Sequence, residues 1–202
     1  MSNVCAIFDS SLWCKDKITV SSDERIKTNI QDINDDSALQ KILQIQPKIY
    51  EYIDKVERGN NKVYGFIAQQ IKEIIPEAIK IENGVVPNIY KVCNCSDDII
   101  TISEGIEKLK VNDEIEVVTK DDTIKKYNII EINDNDIKIN ESINDDECFV
   151  IGSKVDDFHT LNKDYIFTLN VCATQELYKL IQRQNIIIQD LQNRINILEN
   201  NI

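Results

Sequence analysis

Ser22-Asp23-Glu24-Arg25-Ile26-Lys27 and, further along, Tyr64-Gly65-Phe66-Ile67-Ala68-Gln69-Gln70 are the two stretches on which the reading of this chain turns. The first sets a hydroxyl group ahead of a lysine inside a cluster of charges. An offset of five leaves two helical side chains about 140° apart at 3.6 residues per turn. In a strand an odd offset sends them to opposite faces. Neither regular element joins Ser22 to Lys27, so the chain bends between them or the pair forms across subunits. The second stretch is an apolar strand running through glycine into a polar helix start, and Gly65 permits close backbone approach there.

Around these stretches, residues 22–90 read as a compact α+β unit. Asp36 or Ser37 caps a helix through Ala38-Leu39-Gln40-Lys41-Ile42-Leu43, and Pro47 stops it. Ile49, Tyr50, Tyr52 and Ile53 make the next run strand-like, and Arg58-Gly59-Asn60-Asn61 supplies turn chemistry. Val63 to Ile67 reads as a second strand feeding a helix that ends near Ile75, because Pro76 forbids continuation.

Residues 91–155 change character. Short β-branched runs recur at Ile99–Ile102, Ile115–Val118, Tyr127–Ile132, Ile137–Ile139 and Phe149–Ile151, separated by acidic turns. That spacing predicts a small barrel or sandwich. The acidic turns lack the glycine and terminal glutamate of a calcium loop and read as hairpin tips. Residues 1–21, with Trp13 and the run Ile18-Thr19-Val20-Ser21, read as a strand-like tail or leader.

Residues 156–202 form a connector and then a long helix. Its apolar seam runs Leu177, Ile181, Gln184, Ile188, Leu191, Ile195, Leu198, Ile202, in alternating steps of four and three. That is a coiled-coil pattern. Isoleucine fills the a positions and leucine mostly fills d, which by itself favours two strands. Gln184 is a polar core position that sets register or strand number.

Charge excludes one function class. A net charge of −12 opposes the basic footprint that nucleic-acid binding requires. Cys93-Asn94-Cys95 is too close for an unstrained disulfide and has no second pair to complete a zinc site, so reduced thiols, no metal and no cofactor are expected. No apolar run reaches the ~20 residues of a membrane span, and the N-terminus lacks the basic and apolar regions of a secretory signal.

A serine hydroxyl needs a base, and a lysine serves only when burial or a neighbouring cation such as Arg25 makes it neutral. A Ser-Lys pair is a known variant of the triad logic. His159, the single histidine, reads as an ordinary hydrogen-bonded residue.

With its Ser-Asp-x-Arg-x-Lys phase and the Tyr64–Gln70 motif, the chain resembles the intramolecular chaperone auto-processing domain of phage tailspikes such as endosialidase and of myelin regulatory factor. Its β-rich insert is similar to that of large-virus members. The resemblance implies an auto-processing serine endopeptidase that assembles as a homotrimer and cuts once between Ser21 and Ser22. Ser22 would be the nucleophile and Lys27 the general base. Asp23, Arg25, Gly65 and Gln69 would support the site, Asp23 and Arg25 as an ion pair or cap and Gln69 or Gln70 through packing. It also implies an upstream fibre segment in cis and a location in the virion or the host cytoplasm during assembly. The alternative is a trimeric cap or interaction module of a viral particle that is not cleaved, and a dimer is the alternative to the trimer.

Overall fold

A computed structural model describes residue 15 and residues 20–200 of the chain. The tail expected over residues 1–21 lies almost wholly outside them, as do Cys5, Cys14 and the last seam position, Ile202. The architecture is mixed α+β: a two-stranded sheet, a six-stranded sheet and one long C-terminal helix.

The first helix, α1 (Asp35–Gln44), has its cap two residues before Asp36 and three before Ser37, the caps expected from sequence. Asn34 is the cap, and its side-chain oxygen accepts the Ser37 N–H at 2.8 Å. Strand β1 (Lys48–Tyr50) pairs antiparallel with β2 (Val63–Gly65). Both are shorter than the apolar runs suggested, because the short helix α2 (Lys55–Arg58) intervenes and ends at Gly59 with φ 75°. Helix α3 (Ala68–Lys72) follows, and Pro76 opens a 3₁₀ turn, Pro76–Ala78. Ile71, Ile75 and Ala78 form a small core with Phe66, Leu161, Ile166 and Leu169 packed on it.

The large sheet contains β3 (Ile79–Val86), β4 (Lys91–Thr101), β5 (Glu114–Val118), β6 (Ile124–Asn133), β7 (Asp136–Ile143) and β8 (Glu147–Leu161). Hydrogen bonding runs β8–β4–β7–β6–β5, and β5 pairs back onto β8, so these five strands close into an antiparallel barrel. Closure removes the exposed edges of an open sheet. Inward positions alternate at period two: Cys93 and Cys95, Ile115 and Val117, Tyr127 and Ile129, Ile137 and Ile139, Cys148 and Val150, all buried.

Strand β8 runs unbroken through residue 155 and pairs with β3 beyond the barrel, so it ties the barrel to the helical part. Gly152 marks the crossing: a Cβ there would sit 2.0 Å from the Val86 carbonyl oxygen. Helix α4 (Asp164–Glu199) then extends about 54 Å at 1.5 Å per residue. Its first half packs on α1, burying Ala38 and Leu39 against the region of Ala173 and Glu176. Lys179 reaches Asp35 at 2.5 Å, while Lys41 at the other end of α1 lies near Asp164 and Leu169, so the two helices run antiparallel.

Candidate functional site

The Ser22–Lys27 stretch folds around a single 3₁₀ turn, Glu24–Ile26. Asp23 caps it by accepting the Arg25 N–H at 2.8 Å, and the Lys27 N–H closes it on the Glu24 carbonyl at 2.9 Å. The turn reverses the chain enough for Lys27 Nζ to donate to Ser22 Oγ at 2.7 Å. A tight turn therefore spans the offset that neither a helix nor a strand can.

The Arg25 guanidinium grips the Asp23 carboxylate through two bonds, Nε to Oδ1 at 3.0 Å and Nη2 to Oδ2 at 2.7 Å. That hydrogen bonding holds the Asp23 carboxyl below its ordinary value and raises Arg25 above its own. The cation considered for tuning Lys27 is thus matched by Asp23. Ser21 is exposed beside Ser22 and the turn.

Every residue from 20 to 34 is exposed, including Ile26 and Ile30, which are 68% and 61% open. The distal half of α4 has the same character. Leu177, Ile181, Gln184, Ile188, Leu191, Ile195 and Leu198 all lie on exposed helix surface. Isolated apolar residues are normal on a surface, but a continuous stripe of this length calls for a covering partner.

The Tyr64–Gln70 motif crosses from β2 to α3. Gly65 faces Tyr50 across the two-stranded sheet, where a Cβ would meet the tyrosine hydroxyl at 2.6 Å. Phe66 packs on the small core, whereas Gln69 and Gln70 are exposed on α3 rather than packed. His159 lies on β8 with Nε2 at 3.2 Å from Lys72 Nζ, and its buried Nδ1 has no partner among the described residues. The described cysteines are free thiols. Desolvation pushes the Cys148 thiol far above its ordinary value and raises Cys93 and Cys95 as well. Among the described residues no group of three or more His, Cys, Asp or Glu is placed to hold a metal ion, and no helix is long and apolar enough to cross a membrane.

Sequence reasoning missed a groove of about 780 Å³ where β1 and α2 face the barrel wall. Its walls carry Tyr50, Tyr52, Tyr90, Phe149 and Phe158, which come from three separate parts of the chain. Only the Tyr50-Glu51-Tyr52 alternation hinted at it.

An exposed Ser-Lys turn, a two-stranded sheet leading into α3, and a long helix with an exposed apolar seam thus occur together in one mixed α+β chain. Residues 22–80 match the family described as the chaperone of endosialidase. The chain is also 32% identical over 237 aligned residues to the uncharacterized protein VP1 of Micromonas pusilla reovirus (isolate Netherlands/2005). That alignment covers 91% of this chain and 12% of the viral protein, so the chain spans only a small part of its relative's length.

Proposed function

We propose that the chain is a self-cleaving assembly chaperone of a viral particle. It associates as a trimer through the α4 seam and then cuts itself once between Ser21 and Ser22. The observation that carries this reading is the 2.7 Å Lys27–Ser22 contact within the family-matched segment.

In the proposed step, neutral Lys27 takes the Ser22 hydroxyl proton while Oγ attacks the Ser21 carbonyl carbon. The Ser21–Ser22 C–N bond breaks, the Ser22 nitrogen leaves protonated as an amine, and an ester joins Ser21 to Ser22 Oγ. Water then hydrolyses that ester, which releases residues 1–21 as an acid and regenerates the serine. A lysine acts as base only when neutral, and burial favours the neutral amine. Lys27 is exposed in the single chain, so the burial has to come from neighbouring chains. Assembly thereby becomes the condition for cutting.

Intact mass of the assembled wild type beside Ser22→Ala and Lys27→Ala tests the proposal. The wild type is expected to lose residues 1–21 while both variants stay full length. Full-length wild type after assembly overturns the cut and leaves the uncleaved cap. Sedimentation of the same samples decides three chains against two.

A further inference from the structure

The groove between β1–α2 and the barrel wall has four features that the proposed cleavage does not use. Its floor holds Tyr90 at φ 47°, a left-handed conformation that a bulky residue adopts only under constraint. The other described non-glycine residues with positive φ are all Asn or Asp. Tyr90 is held there by its N–H to the Ile151 carbonyl at 3.0 Å, its ring edge-on to Phe149 at 4.9 Å, and its hydroxyl on Asp54. Strain of this kind collects at ligand sites.

The charges lining the groove are one-sided. Glu51, Asp54, Glu57 and Glu116 face a single cation, Arg58, whose guanidinium lies 4.6 Å over the Tyr52 ring. Lys55 and Lys126 pair with Glu51 and Glu116, but Glu57 has no ion-pair partner among the described residues. The walls are aromatic and half open, with Phe158 38% and Val56 82% exposed. Finally, β1 ends at Tyr50 in the groove and pairs with β2 alone among the described strands, which leaves a second edge of backbone donors and acceptors.

We propose that this groove binds an extended peptide segment of a partner protein, with apolar side chains and at least one lysine or arginine. Aromatic walls take the apolar side chains, the carboxylates take the cation, and the β1 edge takes the backbone, as in strand addition. The volume lies within the ~300–1,000 Å³ usual for a ligand site, enough for a short segment. The proposal stands whether or not the chain cleaves itself.

The test is calorimetry on the full chain with two probes, acetyl-Ile-Lys-Phe-Lys-Ile-amide and acetyl-Ile-Glu-Phe-Glu-Ile-amide. The lysine peptide is expected to bind and the glutamate peptide to give no heat. The Glu51→Lys/Glu57→Lys variant, changed only at exposed positions, is expected to bind about tenfold more weakly or worse, equivalent to ~1.4 kcal/mol. Glu131→Lys/Glu141→Lys makes the same change in net charge on exposed barrel positions outside the groove and is expected to bind as wild type does. No heat from the lysine peptide, equal heat from both peptides, or equal weakening by the two charge variants overturns the proposal.

Discussion

The barrel and the stretch around Ser22 handle apolar side chains in opposite ways. Inside the barrel Ile100, Ile115 and Ile137 are wholly buried and the sheet closes on itself, while Val92, Ile124 and Ile130 stay exposed on its outer face. Between Val20 and Asn34, and again beyond Leu177 on α4, isoleucines and leucines stand open along their own chain. The barrel's interior is finished by intrachain folding. The other two leave apolar side chains exposed among the described residues, and one of those holds the Ser22–Lys27 contact.

The largest effect expected from this contrast is on self-association. Ile188→Asp with Ile195→Asp puts charges on the exposed seam, and sedimentation is expected to show only single chains, with the barrel's near-ultraviolet circular dichroism retained. A species of unchanged mass would break the contrast by making α4 an ordinary solvated helix. Next comes Ile100→Ala in the barrel, expected to cost about 2–5 kcal/mol by urea unfolding because a fully buried side chain leaves a cavity. Ile26→Ala, on the open stretch, is expected to leave the same midpoint unchanged.

Gly152→Ala is expected to cost about 1–3 kcal/mol, since its Cβ would collide with the Val86 backbone where β8 passes from barrel to extension. The Asn34→Ala change removes the α1 cap and is expected to cost about 0.5–2 kcal/mol, read from the same urea curves. The smallest effect belongs to Asp121 at the β5–β6 tip. Hydrogen bonds from Thr119 and then Thr123 hold its carboxyl at about 2. A lowered folded value means that its contribution is present above the unfolded value of about 3.9 and is lost as pH falls toward 2. Acid titration of Asp121→Asn against wild type is expected to show the two curves converging over that interval, and a constant offset would refute it.

Much of the fold was legible because its signals are local. The runs at Ile115–Val118 and Tyr127–Ile132 alternate as strands do and lie within β5 and β6. Pro47 follows the helix it was expected to end, whereas the helix expected to run to near Ile75 stops at Lys72, ahead of Pro76. The acidic turns lie at strand connections, where Asp122 and Asp134 take left-handed φ values of 58° and 47°. Strand β3 was missed because Glu82-Asn83-Gly84 interrupts its alternation, at the point where its register on β8 shifts. The first half of β4 was missed because its inward residues are Cys93 and Cys95 rather than β-branched ones.

By itself the sequence determined the seam of α4 and the need for a bend between Ser22 and Lys27. Both follow from spacing along the chain, which the geometry of a residue and its near neighbours settles. Only the tertiary structure decided that β5 returns to β8 to close the barrel and that five aromatic rings from distant segments line one groove. Those features depend on which surfaces meet after folding, and pairing between remote strands leaves no periodic mark on either one alone.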